Sequence, residues 1–240
     1  MTDTRTDDGT GPATPGTGPA HTGSRYSRLL GVTAAVGVVA LLLFALAFSP
    51  ADRIQGDAVR LMYIHVPAAI VMYAMTVLLG VASALWLRRR TQGWDVLAAA
   101  AAEVGLVFTG LTLATGMLWG RPTWGVYWVW DAKLTATALL AVLLAGYLAL
   151  RRVPAAAESR SRRAAVLGTV IPFNLIIIHY SVEWWRTLHQ DQTISTTDVK
   201  IDGLMLFTLF LGMVVGLLVA AWLLVHRFRL AWLEEEAEQG

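Results

Sequence analysis

The sequence predicts an all-α membrane protein with six transmembrane helices and both termini in the cytoplasm. Three observations lead to this prediction. The 240 residues are 56% hydrophobic and only 15% charged, which leaves too little polar surface for a soluble protein of this length. Six apolar segments have about the 20-residue length that a bilayer core requires. The Lys and Arg residues fall mainly on one side of these segments.

Each predicted span must be helical, because lipid offers no water to satisfy backbone N–H and C=O groups. The six spans are Leu29–Phe48, Leu61–Leu87, Val96–Leu118, Leu134–Leu150, Ala164–Val182 and Leu204–Val225. Pro172 removes a backbone hydrogen bond from the fifth span, and Asn174 is the expected partner of the freed group. Gly212 and Gly216 form a small-xxx-small pair that predicts helix packing, within this chain or with a partner.

The positive charges give the orientation. Thirteen of the 19 Lys and Arg residues lie in the N-terminal tail or after spans two, four and six. The six on the opposite side are Arg53, Arg60, Arg121, Lys133, Arg186 and Lys200. This bias places both termini in the cytoplasm and three loops outside. Glu103 lies near the cytoplasmic end of the third span, a position that favours a structural or interfacial role.

The remaining segments are short. We expect residues 1–24 to be a disordered tail, because they are rich in Gly, Pro, Thr and Asp and lack an apolar run. Residues 25–226 then form one membrane domain, and residues 227–240 form a cytoplasmic tail. The connections leave no room for a nucleotide-binding domain, so an ATP-driven step must belong to a partner. The absence of Cys excludes disulfides and thiolate metal sites on this chain.

The most unusual stretch runs from Trp119 to Lys133, between two spans, and contains four tryptophans. They are Trp119, Trp124, Trp128 and Trp130. Gly120, Pro122 and Gly125 predict a bent, partly buried loop at a membrane face. A stack of indole faces there would form a flat apolar platform for a large planar ligand. The alternative is that the tryptophans are ordinary interfacial anchors.

The order of the residues favours the platform over simple anchoring. Trp124, Gly125, Trp128, Trp130 and Asp131 form the pattern W-G-x-x-W-x-W-D. It resembles the "WWD" signature of the haem-handling proteins of cytochrome c maturation. Asp131 opens the fourth span, where a carboxylate is expected to cap the helix. A second role, accepting hydrogen bonds from indole N–H groups, is compatible with the first.

Two histidines at the outward face are the candidate axial ligands of haem iron. His65 begins the second span and His189 lies in the third outward loop. Two neutral imidazoles on opposite sides of haem make a six-coordinate site, although each residue alone is more often an ordinary interfacial histidine. His179 is the rival ligand, but it lies four residues before Glu183, which predicts a hydrogen bond within the helix.

Three cations are candidates to pair with the haem propionates, because charge-assisted hydrogen bonds suit carboxylates. They are Arg60, Lys133 and Arg186. Lys133 retains the positive charge but not the bidentate geometry of an arginine.

Together these residues resemble the CcmC family, the haem exporter proteins C. The resemblance rests on six spans, the motif at residues 124–131, His65 in H-V-P-A-A, and His189 in H-Y-S-V-E-W-W-R-T-L-H-Q, and covers about residues 25–226. It implies a protein without turnover chemistry that holds haem b as cargo at the outer face of the cell membrane. It also implies delivery to the haem chaperone CcmE, together with the ABC-type subunits CcmA and CcmB and the small CcmD. A ligase-like role is conceivable, since haem would be attached to the chaperone on the platform.

Three other functions are alternatives to this one. A haem attachment protein of the same superfamily would act directly on apocytochrome c, but such proteins are longer and have more spans and histidines. A small-solute transporter would need paired carboxylates or broken helices within the membrane, and spans three and six have neither. A membrane protease is weaker still, because the chain has no H-E-x-x-H motif.

Overall fold

The computed structural model describes residues 19, 21–189 and 202–239, and this part of the chain is almost entirely helical. The helices are α1 (Arg25–Leu43), α2 (Met62–Arg89), α3 (Gln92–Trp124), α4 (Ala132–Arg152), α5 (Ala157–Val170), α6 (Phe173–Trp184) and α7 (Gly203–Gln239). A π-helical turn (Phe44–Phe48) continues α1, and a 3₁₀ turn (Asp57–Leu61) precedes α2. Six segments of the described residues are long and apolar enough to cross a membrane. The prediction of an all-α protein with six membrane-spanning helices is therefore confirmed.

The ends of the helices differ from the predicted spans. α7 runs to Gln239, so most of the predicted C-terminal tail continues the sixth span as helix. The predicted N-terminal tail lies mostly outside the described residues. Its last residue, Ser24, caps α1 by accepting a hydrogen bond from the Ser27 N–H at 3.1 Å. Residues 190–201 of the third predicted outward loop also lie outside the described part.

The helices α2 and α3 form the centre of the bundle. α3 contributes five consecutive buried alanines, Ala98–Ala102, to the core. Such small side chains let neighbouring helix backbones approach closely. α2 also packs on α5 and α7, α3 packs on α4 and α7, and α6 packs on α4. Thus two long central helices position the others around them.

The packing of α7 on α2 depends on a proline. Pro67 has no N–H, so the carbonyl of Tyr63 loses its usual helical hydrogen bond. Gly212 of α7 packs at this point, where an added Cβ would lie only 2.6 Å from the Tyr63 oxygen. Gly216, one turn further along, packs against Pro67. The Gly212–Gly216 pair therefore packs a helix as predicted, and the partner is α2 of the same chain.

A second proline divides the fifth span. The span consists of α5 and α6, which are separated at Ile171–Pro172. The Pro172 ring packs on Gly80 of α2, where a Cβ would lie 2.4 Å from the ring. The prediction for Asn174 was wrong. Its Nδ2 donates to the carbonyl of Ala136 in α4 at 2.9 Å, because the side chain faces α4 rather than the interrupted backbone.

The end of the bundle away from the tryptophan-rich stretch contains a buried ion pair. The Arg151 guanidinium donates to both oxygens of Asp95, at 2.6 and 2.9 Å, and the Ser161 hydroxyl donates to the same carboxylate. This bidentate geometry suits arginine. Glu103 forms an ion pair with Arg227 of α7, which agrees with the structural role predicted for it. These contacts hold α3, α4, α5 and α7 together.

The glycine contact between α7 and α2 makes a prediction for stability. We expect Gly212→Ala to lower the free energy of unfolding by about 1–3 kcal/mol, because the new methyl group overpacks against the Tyr63 carbonyl. Gly146→Ala is the matched control, since a Cβ at Gly146 meets nothing within 4 Å. The control should be neutral or stabilising by up to about 1 kcal/mol. Thermal unfolding in detergent would measure both, and equal shifts would contradict the packing described for α7.

Candidate ligand-binding cavity

A cavity of about 410 Å³ lies between α2, α3, α4 and α6, beside the tryptophan-rich stretch. Its size falls within the range of about 300–1,000 Å³ that is usual for small-molecule sites. Its wall is mostly apolar. The aromatic and ionisable residues on the wall are His65, Tyr73, Trp119, Trp124, Trp128, Lys133, His179 and His189. The cavity also reaches Met72, seven residues after His65 and so about 10 Å further along α2.

The first half of the tryptophan-rich stretch is helical, which contradicts the predicted loop. α3 continues through Gly120 and Pro122 to Trp124 and ends at Gly125, which adopts a left-handed conformation with φ of 79°. A glycine in this position is a common helix terminus. Pro122 removes the hydrogen bond that an N–H at this position would donate to the Leu118 carbonyl, and only Thr123 and Trp124 follow it before the helix ends. Only residues 125–131 form the irregular connection to α4.

The indoles do not form the flat stack that the sequence predicted. The Trp128 and Trp130 rings meet at an interplanar angle of 81°. Trp119 lies edge-on to His65, and Trp124 lies edge-on to His189, with ring centroids 5.7 and 4.9 Å apart. The prediction of a flat stack of indole rings is therefore wrong. The three indoles of Trp119, Trp124 and Trp128 form separate parts of the cavity wall instead, and Trp130 is 82% exposed outside it.

A polar contact fixes the position of Trp119. Its Nε1–H donates to Oε1 of Gln55 at 2.7 Å. Gln55 belongs to a tight turn, in which Oδ1 of Asp52 accepts hydrogen bonds from the N–H groups of Ile54 and Gln55. These backbone donors lower the pKa of the Asp52 carboxyl below its usual range. The first predicted outward loop thus holds one indole of the cavity wall in place.

The environment of His65 determines which ring nitrogen carries the proton. Its Nδ1 lies 3.1 Å from the Thr112 carbonyl oxygen and 3.1 Å from Oγ1 of Thr115. A carbonyl can only accept, and the Thr115 hydroxyl already donates to Leu111, so Nδ1 must be the donor. Nε2 is then the nitrogen with the free lone pair. Gly116 allows this approach, because a Cβ there would lie 3.0 Å from Cε1 of His65.

His189 has a comparable arrangement with a carboxylate. Its Nδ1 lies 3.7 Å from Oδ2 of Asp131, and both atoms are buried without another partner among the described residues. Burial, followed by the positive charge of Lys133, lowers the pKa of His189 below its ordinary value, although Asp131 acts in the opposite sense. The neutral form of the ring is thereby favoured. A small closure of the 3.7 Å gap would make Nδ1 a donor to Asp131 and leave Nε2 free.

Asp131 also caps α4, as predicted. Its Oδ1 accepts a hydrogen bond from the N–H of Leu134 at 2.8 Å. The second predicted role, acceptance of indole N–H groups, is not seen in the described part of the chain. Nε1 of Trp128 is buried without a partner there, and Nε1 of Trp119 is bonded to Gln55. The second oxygen of Asp131 faces His189 instead.

The three candidate cations are placed differently. Lys133 lies on the cavity wall, in the first turn of α4. Arg60 is engaged outside the cavity, where it donates to Asp57 at 2.9 Å and to the carbonyl of Ala45. Arg186 is exposed and does not line the cavity. Of the three, the structure brings only Lys133 together with His65 and His189.

His179 departs from its predicted role. Its imidazole makes no hydrogen bond to Glu183 or to any other described residue, and it is exposed on α6. Its ring contacts Tyr180 edge-on, with centroids 4.8 Å apart. The predicted hydrogen bond within the helix is therefore wrong in this conformation. His179 lines the cavity instead, so three histidines share its wall.

Sequence reasoning missed the residues that hold the cavity in shape, namely Gln55, Thr112, Thr115 and Gly116. Thr112, Thr115 and Gly116 recur at helical spacing on α3, which indicates a polar, narrow face. That signal could have predicted a close approach of another helix. The sequence does not show that His65 is the residue that approaches. The sequence does not predict a role for Gln55, because a glutamine in a loop forms no distinctive pattern.

These observations define a multi-pass helical membrane protein with a histidine- and tryptophan-lined cavity. Residues 13–240 match the family described as CcmC, heme exporter protein C. A heme exporter protein C from Haemophilus influenzae is 37% identical over 215 residues, which cover 89% of this chain and 86% of that protein. Those of Escherichia coli K12 and Bradyrhizobium diazoefficiens are each 39% identical, over 78% and 85% of this chain and 76% of either relative. The chain belongs to the heme exporter protein C family.

The geometry around His65 predicts a distinct effect of a methyl group at Gly116. We expect Gly116→Ala to displace the imidazole by a few tenths of an ångström and to weaken the hydrogen bonds from Nδ1 to α3. ¹⁵N NMR of histidine-labelled protein in nanodiscs should show a protonated Nδ1 and an unprotonated Nε2 for His65, and the Nδ1 signal should shift in the variant. Gly110→Ala is the control, since nothing lies within 4 Å of its Cβ position. A protonated Nε2 in the unmodified protein would contradict the assignment.

Proposed function

We propose that this protein binds haem in the cavity, with His65 and His189 as the two axial ligands of the iron, and delivers it to the haem chaperone CcmE. One observation carries the proposal: two imidazoles line one cavity, and each has its Nδ1 beside an oxygen acceptor. Histidines that bind metals commonly donate the other ring N–H to a carbonyl or a carboxylate. Nε2 of each ring is then available for iron.

The rest of the wall suits a porphyrin. Trp119, Trp124 and Trp128 offer apolar, polarisable surface for a planar macrocycle, and the deeper wall is apolar as well. Lys133 offers a positive charge for a propionate. The carboxylate of Asp131 orients His189 and does not itself touch the ligand. We assign no propionate contact to Arg60 or Arg186, since both lie away from the cavity.

The cargo is haem b, held through iron and packing alone. The chain has no Cys, so it cannot form the thioether bonds of covalently attached haem. A protein that passes its ligand on needs a site that releases it without breaking a covalent bond. The role is delivery rather than enzymatic turnover. Any attachment of haem to the chaperone would take place while haem is held here.

We place the protein in the cell membrane with the cavity facing the extracytoplasmic side and both termini in the cytoplasm. The distribution of Lys and Arg supports this orientation. The contacts of Arg229 near the end of α7 are also consistent with it. Its guanidinium donates to the Thr22 carbonyl and the Ser27 hydroxyl, so the start of α1 and the C-terminal part of α7 lie on the same side of the bundle.

Relatives named heme exporter protein C support a place in a Ccm-type system. The partners we propose are CcmE as haem acceptor, CcmA and CcmB as ABC-type subunits, and CcmD. The domain division that we propose is a membrane domain at residues 25–226 flanked by an N-terminal tail and a cytoplasmic extension, residues 227–240, of which the part up to Gln239 continues α7. ATP hydrolysis, in this proposal, belongs to the ABC-type partners.

The axial ligands can be tested by the visible spectrum. The purified protein, supplied with ferric haem, should show the Soret and α/β bands of six-coordinate, low-spin haem with two histidine ligands. His65→Ala and His189→Ala should each lose or shift these bands, because each removes one nitrogen from iron. Equilibrium titration in nanodiscs measures the accompanying loss of affinity.

His226→Ala is the matched control for this experiment. His226 lies in α7 and its ring contacts Trp222, away from the cavity. The control should keep the spectrum of the unmodified protein. A protein that stays colourless in the presence of haem would contradict the proposed function as a whole. A spectrum unchanged in both His65→Ala and His189→Ala would contradict the ligand assignment.

A further inference from the structure

His179 is an ionisable side chain in a membrane-spanning segment without a described partner. It lies in α6, five residues before Trp184 and therefore about 7.5 Å from the end of that helix. Its imidazole makes no hydrogen bond to any other described residue, and it lies on the cavity wall. Polar groups in a membrane span are costly and usually have a functional reason. The pair of axial ligands proposed above does not use this ring.

His179 lies on a side of the cavity where two helices of the wall make little contact with each other. Both α2 and α6 contribute to the cavity wall, but in the described part of the chain α6 packs on α4 and has little backbone contact with α2. Ile70 of α2 lies on the cavity wall and is 38% exposed, and Ile177 of α6, which precedes the wall residue Ile178, is 40% exposed. Both lie inside membrane-spanning segments.

The deeper part of the cavity is suited to a ligand that comes from lipid. It extends about 10 Å along α2 beyond His65. Its wall there includes Ala69, Met72 and Ile178, which are apolar. His179 lies on the α6 side of the same cavity, so a porphyrin that enters between α2 and α6 would pass its imidazole. An imidazole with no competing hydrogen bond is a suitable ligand for its iron.

We propose that His179 is a transient ligand for the iron of haem that enters the cavity from the bilayer between α2 and α6. The ligand class is an iron porphyrin dissolved in the membrane. The inference rests on the proposed function, since haem must then pass to the His65–His189 position. Each step exchanges one iron–nitrogen bond for another, so no bond in the porphyrin changes and no oxidant or reductant is required.

The first test measures the route. Full-length protein in proteoliposomes is mixed with phosphatidylcholine vesicles that contain ferric haem, and the growth of the Soret band is followed. His179→Ala should reach the same final spectrum as the unmodified protein but roughly tenfold more slowly, which corresponds to about 1.4 kcal/mol in the barrier. His226→Ala should load at the unmodified rate. If His179→Ala does not fold, His179→Gln replaces it in this test, because glutamine keeps a polar side chain but offers no imidazole.

The second test measures ligation itself. The double variant His65→Ala/His189→Ala should retain weak haem binding through His179, and adding His179→Ala should weaken that binding by at least about tenfold. A structural role of His179 would not produce this difference. Equal haem binding by the double and triple variants, or an unchanged loading rate in His179→Ala, would overturn the inference.

The remaining outcomes separate the inference from the proposed function. Suppose that the unmodified protein shows the spectrum of two histidine ligands. If His179→Ala then loads haem at the unmodified rate, and the triple variant binds haem as well as the double variant, only the inference fails. If the unmodified protein binds no haem, both fail together. If His179→Ala alone loses the final spectrum, His179 is a resident ligand, and both the transient role and the His65–His189 pair are overturned.

Discussion

The hydrogen bonds between His65 and α3 are the contact on which the cavity depends. They require α2 and α3 to lie close together, and the buried alanines Ala98–Ala102 and the small Gly116 permit this. Once Nδ1 is bonded to the Thr112 carbonyl, the tautomer is fixed and Nε2 is left as a ligand. This carbonyl belongs to Thr112 of α3, whose hydroxyl donates to the Phe108 carbonyl one turn earlier in the same helix. A site for a metal-containing ligand thus arises from ordinary helix packing.

The bilayer explains why glycine and proline occur in pairs across helix interfaces. Each proline removes a backbone donor, which is costly where water is absent. At Pro67 the uncovered carbonyl of Tyr63 is met by Gly212, and at Pro172 the ring is met by Gly80. These contacts fix where α7 packs on α2 and where the break between α5 and α6 lies against α2. The contact between Pro172 and Gly80 also sets the position of the start of α6, the helix that carries His179.

The sequence predicted the six spans, the helix-capping role of Asp131 and the packing of Gly212 on a helix, because each follows from local composition or spacing. It failed where the outcome depends on tertiary contacts. The helix through Pro122 was missed because Gly120 and Pro122 were read as helix breakers, whereas the helix ends only at Gly125. The hydrogen bonds of Asn174 and His179 were misassigned because near neighbours in sequence were preferred over α4 and the cavity. The contact of Gln55 with Trp119 spans 64 residues and has no sequence signal. The roles of His65, His189 and Lys133 in binding stay predictions.

The most direct measurement is a cryo-EM map of the haem-loaded full-length protein in a lipid nanodisc. The account predicts a porphyrin in the cavity, with iron between Nε2 of His65 and Nε2 of His189, Nδ1 of His65 still bonded to Thr112, and Lys133 near a propionate. Porphyrin density outside this cavity, or iron bound through Nδ1 of His65, would contradict it.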